Sequence, residues 1–359
     1  MNNETGWHNV HVYYYDGEHR DDLILDCVRP LFASLDTNGR RCFFVRHWLR
    51  GPHLRLRFLA TENDFDRSVN PAVNEQLCGW LAVHPSTTCL DEAALLAAHK
   101  QLAEREREPG HLSPLYPDNS IQYLPYDRRV DVLGSEAAAS LLEDFYVATN
   151  DLTFAMLAHI RDGNSRLNLA IDLMWATAHG VGLPITRGFV SYRSHSEGRI
   201  MRAADPAALR SFFDQQYRTR ATALAERLGQ VLDTLDGAGD DVPFVREWVQ
   251  VMSWLWKRAE PLIAAGDIRL PLPPPGKWHG REAVRHSAFH RALRSNAAYL
   301  QWMRTDLQHL VYRVIVNCLY LHLTRLGSKP FERSLLGYLV AETVEERFGV
   351  SAVKLVSAS

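Results

Sequence analysis

The chain has 359 residues, 46% of them hydrophobic and 23% charged, with a formal net charge of −2. This composition is that of a folded globular protein and excludes a collagen-like, wholly disordered or disulfide-framework chain. The charge balance also argues against a nucleic-acid-binding protein, which normally has a basic excess. No apolar run approaches the roughly 18–20 residues of a transmembrane helix, and no signal segment is visible, so we expect a cytoplasmic protein without a membrane partner.

Cysteine and histidine spacing does not indicate a metal site. No two of the 5 cysteines form a CxxC pair, and none of the 16 histidines belongs to an HExxH arrangement. Zinc sites and thioredoxin-like redox motifs are normally visible as such spacings. We therefore predict that the protein holds no metal and that its cysteines are small, buried and reduced.

The first third of the chain alternates predicted strands with a predicted helix. Residues 21–35 place apolar side chains at helical spacing, and Gly51-Pro52 marks a turn between two strands that should form an antiparallel hairpin. Segments rich in β-branched and aromatic residues, or with strict alternation, predict strands. These segments are residues 9–15, 42–48, 53–59 and 120–124.

Arginines are concentrated around the predicted hairpin. In residues 53–58 (HLRLRF) the apolar side chains alternate with His53, Arg55 and Arg57, so these arginines share one face of the strand. Guanidinium groups on one sheet face suit an anionic or carbonyl-rich ligand, because they donate several fixed hydrogen bonds. The alternative is that these arginines lie on a sheet face exposed to solvent, and the sequence alone does not distinguish the two interpretations.

The remainder of the chain is predicted to be mostly helical. Residues 269–280 (RLPLPPPGKWHG) predict a stiff extended segment, which serves either as a strut or as a wall of a substrate groove. We predict an α+β fold in which a small mixed or antiparallel sheet in residues 1–130 packs against a large helical part, residues 131–359, within one integrated domain. The predicted helices cover residues 91–108, 135–160, 166–179, 205–235, 244–265, 283–296, 305–326 and 332–348.

Residues 188–198 (GFVSYRSHSEG) concentrate Ser191, Tyr192, Arg193 and His195 in a segment that we expect to be a strand end or loop. A serine and a histidine so close in sequence rarely align as nucleophile and base, and no G-x-S-x-G turn is present. The segment therefore favours a hydrogen-bonding site over a covalent one.

Four segments resemble the C-terminal glutamate-elimination domain of lantibiotic dehydratases. Residues 43–58 (FFVRHWLRGPHLRLRF) resemble its FIRYxDPxxHLRLRF signature, and residues 120–157 resemble its YxPExxRYGG segment with the helix that follows. Residues 188–198 resemble its SYRSHAE element, and residues 320–327 (YLHLTRLG) stand where it has HMxxNRLxG. The segments occur in the order of the family and span most of the chain.

The departures from that family concern its ionisable groups. Tyr126 stands in place of the glutamate of the family, and Tyr320 in place of a histidine that is expected to act as acid or base in elimination. With an ordinary pKa of about 10, tyrosine is a poor base at neutral pH but a good hydrogen-bond donor. This pattern resembles the stand-alone pyridine synthases of thiopeptide biosynthesis.

The second resemblance implies a formal [4+2] aza-cycloaddition on a ribosomally made peptide that carries thiazoles, two dehydroalanines and a leader. Loss of water and of the leader as a carboxamide would then aromatise the ring and close a macrocycle. The resemblance implies no cofactor, and it implies the precursor peptide and other biosynthetic enzymes as partners. Two alternatives are a split glutamate-elimination enzyme that forms dehydroalanine and a non-catalytic leader-binding partner of a dehydratase.

The resemblance and the residue types together define a candidate site. We predict hydrogen-bonding or proton-transfer roles for Tyr320, Ser191, Tyr192 and His195. We predict that three arginines orient the peptide carbonyls of the substrate and that three aromatic side chains form walls of the substrate groove. These residues are Arg46, Arg55 and Arg193 for orientation, and Tyr126, Tyr217 and Trp278 for the walls.

Overall fold

The computed structural model describes residues 4–36, 40–108, 110–239, 241–270 and 283–358. Most of the predicted proline-rich segment, with Trp278, lies outside the described residues. Within these ranges, no helix combines the length and the apolar character that crossing a bilayer requires. The same ranges contain no group of three histidine, cysteine, aspartate or glutamate side chains that could hold a metal ion.

The chain forms two compact units. Met1–Leu133 and Leu142–Asn164 form the N-terminal unit, and Gly134–Leu141 and Ser165–Ser359 form the C-terminal unit. The N-terminal unit contains a small antiparallel sheet and the rest is mostly helical, which confirms the predicted α+β class. The predicted boundary after residue 130, and the integration of both parts into one domain, stay predictions.

The sheet of the N-terminal unit has the strand order β2-β3-β1-β4. Helices lie between β1 and β2 and between β3 and β4, so the chain follows a β-α-β-β-α-β order. The predicted strands and the predicted hairpin are confirmed, and Gly51 at the hairpin turn adopts a φ of +113°, which favours glycine. The strands are β1 (Thr5–Tyr13), β2 (Cys42–His47), β3 (His53–Thr61) and β4 (Ser120–Tyr123).

One face of this sheet forms the core of the N-terminal unit. Leu54, Leu56 and Phe58 of β3 are fully buried, together with Val10 of β1. The ring of Phe32 stands edge-on to that of Phe58, with 5.8 Å between the centroids. Because side chains alternate between the two faces of a strand, these apolar residues share one face and their arginine neighbours share the other.

Apart from the short helix Val130–Leu133, the helices of the N-terminal unit include one longer stretch that the sequence did not predict. It runs from Glu62 to Val83, where Pro71 in the first turn of α4 and Gly79 interrupt the helical pattern. The division between the units falls within α7. The helices are α1 (Arg20–Asp22), which continues through π-helical Leu23–Val28 into α2 (Arg29–Asp36), α3 (Glu62–Asp64), which continues through π-helical Phe65–Val69 into α4 (Asn70–Val83), α5 (Glu92–Glu106), α6 (Val130–Leu133), α7 (Glu136–Ala148) and α8 (Asn150–Arg161).

The described residues of the C-terminal unit form helices and their connections. Two helices replace the single helix predicted over residues 205–235. Four helices were not predicted: Ile185–Gly188, Val190–Ile200, Ala297–Thr305 and Ala352–Ser357. The helices are α9 (Arg166–Gly180), α10 (Ile185–Gly188), α11 (Val190–Ile200), α12 (Pro206–Arg218), α13 (Ala221–Asp236), α14 (Val245–Ala264), a 3₁₀ turn (Ala283–His286), α15 (Ala288–Ser295), α16 (Ala297–Thr305), α17 (Leu307–Arg325), α18 (Pro330–Phe348) and α19 (Ala352–Ser357).

Residues 190–200 are helical, so the expectation of a strand end or loop in this segment is wrong. Apart from Gly198, the buried residues of α11 recur at helical spacing, at positions 192, 193, 196, 197 and 200. Arg193 and Glu197 occupy two of these positions, and both are ion-paired inside the unit. Because charged residues hold part of the buried stripe, the sequence shows no apolar stripe and the helix is hidden from a hydrophobicity pattern.

Candidate active site

A cavity of about 280 Å³ lies in the C-terminal unit. Its walls come mainly from α11, α16 and α17, with further residues from α10 and α15. The described residues that line it include the arginines Arg187 and Arg313 but no aspartate or glutamate. The cavity therefore combines aromatic surface, neutral hydrogen-bonding groups and positive charge, without a carboxylate base.

Three of the predicted site residues line this cavity. A spacing of four residues places Ser191 and His195 on the same face of α11, and both line the cavity. Tyr320 of α17 lines it as well, with its ring centroid 4.6 Å from that of His195. The Tyr320 hydroxyl is buried and has no hydrogen-bond partner in the described part of the chain. We call Tyr320, His195 and Ser191 the polar end of the cavity.

Burial sets the protonation states at the polar end. Burial, reinforced by the guanidinium groups of Arg333 and Arg202, lowers the pKa of His195 to about 4, so the imidazole is neutral at pH 7. Burial also raises the pKa of Tyr320 above its ordinary value, although Arg333 opposes the shift, and the phenol keeps its proton. Tyr320 can therefore donate a hydrogen bond, and neutral His195 can accept a proton.

Three further predicted residues of the C-terminal unit, Tyr192, Arg193 and Tyr217, do not line this cavity. Tyr192 is fully buried, and its hydroxyl donates to a backbone carbonyl of α9 at 2.8 Å. The Arg193 guanidinium is buried between Glu342 and Glu345, at nitrogen–oxygen distances of 2.9 and 2.6 Å. Tyr217 donates to a carboxylate of α18. Their bonds are internal to the unit, which indicates structural roles.

Arg46, Arg55 and Tyr126 belong to the N-terminal unit. Arg46 is paired with Asp21, and the Arg55 Nε donates to His53 Nε2 at 3.1 Å. Burial lowers the pKa of Arg55 to about 10. The Tyr126 hydroxyl donates to a carboxylate oxygen of α7 at 3.0 Å. Each side chain thus has a partner within its own unit.

The arginine face of the sheet is not solvated. Arg57 is 3% exposed, its guanidinium donates to Asn9, and its central carbon lies 4.4 Å from the ring centroid of Tyr126. The carboxylate bonded to Tyr126 belongs to Glu143, which Arg128 also holds through two bonds of 2.7 and 2.8 Å. A carboxylate from another part of the sequence therefore lies beside the position where the glutamate of the family is missing.

Sequence reasoning did not identify most of the residues that line the cavity. Tyr299 and Trp302 of α16, with His309 and Arg313 of α17, line the cavity. A signal was present for α17, because its lining residues at positions 309, 312, 313, 316, 317 and 320 follow helical spacing within a predicted helix. No comparable signal marked α16, which is short and was not predicted.

Comparison with known proteins gives the family of the chain. The family described as lantibiotic biosynthesis dehydratase C-term matches residues 7–344. The chain belongs to this family. Among the curated proteins, no sequence matches it significantly.

Solved structures refine this assignment. The chain is similar to the pyridine synthase TbtD from thiomuracin biosynthesis, with 32% identity over 96% of this chain and 99% of that one and a TM-score of 0.77. It also shares the fold of TsrL, with a TM-score of 0.72 at 23% identity over 99% of this chain and 98% of that one. Both resemblances found in the sequence, to dehydratase C-terminal domains and to pyridine synthases, are thereby confirmed.

Proposed function

We propose that the chain is a pyridine synthase of thiopeptide biosynthesis, which joins two dehydroalanines of a modified precursor peptide into a pyridine ring. The observation that carries the proposal is Tyr320, which stands in place of the acid-base histidine of elimination enzymes and brings an unpaired hydroxyl to the cavity wall. The similarity to a pyridine synthase over nearly the full length of both chains supports it.

The reaction balances without an external reagent. The amide that precedes one dehydroalanine tautomerises to an imidic acid, which creates a 2-azadiene. One new bond joins the two methylene carbons, and the other joins the imidic-acid carbon to the α-carbon of the second dehydroalanine. Water then leaves from the former amide carbon and the leader leaves as a carboxamide from the α-carbon, so the ring becomes aromatic.

Alignment of two distant alkenes is the main physical demand of this reaction. Holding two reactants in a reactive geometry can contribute about 7–11 kcal/mol to lowering the barrier. The cavity walls serve this purpose, and Arg187 and Arg313 suit the orientation of peptide carbonyls because guanidinium groups donate several fixed hydrogen bonds.

Proton movement is assigned to the polar end. The Tyr320 hydroxyl donates a hydrogen bond to the amide oxygen and keeps its own proton, while neutral His195 accepts the amide N–H proton and passes it to that oxygen, which gives the imidic acid. In each elimination that follows, His195 takes a proton from a ring methylene carbon and gives it to the leaving group, first water and then the leader carboxamide. The Ser191 hydroxyl donates a hydrogen bond to a neighbouring peptide group of the substrate.

The partners of the protein are the leader-bearing precursor and other biosynthetic enzymes, and the reaction takes place in the cytoplasm.

The proposal is tested by incubating the protein with a dehydrated, thiazole-bearing precursor that retains its leader. Mass spectrometry should detect a macrocycle together with the leader carboxamide. A precursor in which alanine replaces the second dehydroalanine is the control and should stay linear. Recovery of the unchanged linear peptide from the complete precursor would contradict the proposal.

The alternatives give different outcomes in parallel reactions. A glutamate-elimination enzyme would convert glutamylated serine peptides to dehydroalanine peptides and leave the dehydrated precursor intact. A leader-binding partner would react with neither substrate, but it would raise the turnover of a dehydratase to which it is added.

A further inference from the structure

The cavity has two chemically different ends that one helix connects. On α17, His309 and Tyr320 both line the cavity and are 11 residues apart. At a rise of 1.5 Å per residue, this separation corresponds to about 16 Å along the helix axis. The polar end lies at Tyr320, and a different set of side chains surrounds His309.

Aromatic side chains dominate the region around His309. The ring centroid of Trp302 lies 4.6 Å from that of His309, and the ring of Tyr299 lies 5.2 Å from that of Trp302. All three side chains line the cavity, and Tyr299 and Trp302 are partly exposed. We call Tyr299, Trp302 and His309 the aromatic end.

His309 also carries an unpaired polar atom. The residue is 7% exposed, and its Nε2 atom is buried without a hydrogen-bond partner among the described residues. A buried nitrogen without a partner costs free energy unless water or a ligand completes the bond. In the tautomer that carries its proton on Nε2, the imidazole donates one hydrogen bond.

We propose that the aromatic end is a subsite for one five-membered heteroaromatic ring, a thiazole, of the modified precursor. The ring would stack on the face of Trp302, with the tilted ring of Tyr299 against its edge, and its nitrogen would accept a hydrogen bond from His309 Nε2. This inference rests on the proposed function, because it takes a thiazole-bearing peptide as the occupant of the cavity.

Ring stacking distinguishes this ligand from an unmodified residue. A flat heteroaromatic ring has a π face that stacks on an indole and a ring nitrogen that accepts one hydrogen bond, whereas an alanine has neither.

The volume of the cavity limits how much of the substrate it holds. Its volume of about 280 Å³ lies just below the roughly 300–1,000 Å³ of pockets that enclose whole small molecules. The cavity therefore suits a short stretch of peptide and not a complete macrocycle.

The distance between the two ends predicts how many residues separate the thiazole from the reacting dehydroalanine. An extended peptide covers about 3.3–3.6 Å per residue, so about 16 Å corresponds to about four or five residues. The thiazole at the aromatic end would therefore lie about four or five residues from the dehydroalanine at the polar end.

Binding is measured with short capped peptides that cannot react. One carries a single thiazole flanked by alanines, and its partner has alanine at that position. By isothermal titration calorimetry, the wild-type protein should bind the thiazole peptide about tenfold more tightly, a preference expected from loss of one stacking and hydrogen-bonded group. The Trp302→Leu variant should lose this preference, and Trp302→Phe should retain most of it.

A second tryptophan provides the matched control. Trp254 is also partly exposed in the C-terminal unit but does not line the cavity, so Trp254→Leu should keep the wild-type preference. Equal affinities of the wild-type protein for both peptides would overturn the inference, as would an unchanged preference in a folded Trp302→Leu variant. Circular dichroism and thermal melting establish that each variant is folded.

Turnover separates this inference from the proposed function. With precursors in which alanine replaces one thiazole at a time, the wild-type kcat/KM should fall most when the ring about four or five residues from a reacting dehydroalanine is removed. In Trp302→Leu that penalty should disappear. A Trp302-dependent thiazole preference without any turnover would contradict the function alone, whereas turnover without that preference would contradict the subsite alone.

Discussion

Tyr192 and Tyr320 lie close together in the C-terminal unit, with 6.4 Å between their ring centroids, yet their hydroxyl groups have opposite environments. The Tyr192 hydroxyl donates a hydrogen bond to the backbone carbonyl of Met174 at 2.8 Å. The Tyr320 hydroxyl has no partner in the described residues and belongs to a residue that lines the cavity. Residue type suggested that both tyrosines belong to the site. Only the surroundings of their hydroxyl groups distinguish a structural role from a role in the reaction.

Replacing each of these tyrosines by phenylalanine should separate a chemical role from a structural one. Tyr320→Phe should lower kcat of pyridine formation by about 100-fold, the scale seen when one preorganised donor is removed, while the free energy of unfolding changes little. Tyr192→Phe should lower the free energy of unfolding by about 1 kcal/mol, because it removes a buried hydrogen bond, and should leave kcat of the folded protein near wild type. Kinetics and urea unfolding measure both. Equal kcat values in the two variants would contradict this assignment.

The buried histidines of the cavity should make stability depend on pH. His195 and His309 have folded-state pKa values of about 4, lowered mainly by burial from the ordinary 6.5. Between these values the unfolded chain binds more protons than the folded chain, so the free energy of unfolding falls as the pH drops from about 6.5 towards 4. Each histidine can contribute up to about 1.4 kcal/mol per pH unit in that window.

Variants isolate this contribution from that of the other buried histidines. His309→Gln should show a smaller loss of stability between pH 7 and pH 5 than the wild-type protein, as measured by urea unfolding at both pH values. His111, which is exposed, is the control, and His111→Gln should keep the wild-type difference. An undiminished difference in His309→Gln would show that this imidazole is not held neutral by burial.

At the level of elements, glycine permits the close approach of α10 to α9 and α17. A Cβ atom at Gly188 would lie 2.6 Å from the Tyr312 hydroxyl oxygen and 2.9 Å from the Ala178 carbonyl oxygen. Tyr312 lines the cavity, so the spacing of these helices also sets one part of its wall. The lack of a side chain at Gly188 is therefore needed both for the packing of these helices and for the position of Tyr312 in the cavity wall.

Gly188→Ala should therefore lower the free energy of unfolding by about 1–3 kcal/mol through overpacking and should reduce turnover by displacing Tyr312. Gly229→Ala is the matched control, because a Cβ there meets nothing within 4 Å in the interior of α13. That substitution should raise the free energy of unfolding by about 0.5–1 kcal/mol. Denaturant unfolding compares them, and similar effects of both substitutions would contradict the argument.

The same scale explains what the sequence could predict about the fold. The strands were visible from β-branched and aromatic residues or from strict alternation, and most long helices were visible because apolar residues recur at helical spacing. Helix α11 was not visible, because Arg193 and Glu197 are buried there as ion pairs. The arginine face of β3 was left undecided for a related reason: its burial depends on Asn9 and Tyr126, which are distant in sequence.

At the scale of the whole molecule, the order of motifs along the chain was sufficient to predict the family, which the match over residues 7–344 confirms. It was not sufficient to define the site. Ser191, His195 and Tyr320 line one cavity, whereas Tyr192 and Arg193 are neighbours in sequence that point elsewhere on α11. Which face of a helix meets a cavity is decided by tertiary packing, and short motifs do not encode it.

The continuous α17 has a consequence for how related enzymes could come to make rings of other sizes. Deleting one residue between Arg313 and Tyr320 would turn the downstream part of the helix by about 100° and carry the phenol out of the cavity. Adding or removing about a full turn would restore the direction of the side chain and shift it by about 5.4 Å, between one and two peptide residues. Divergence in product size is therefore expected in steps of whole helical turns, with intermediate lengths inactive.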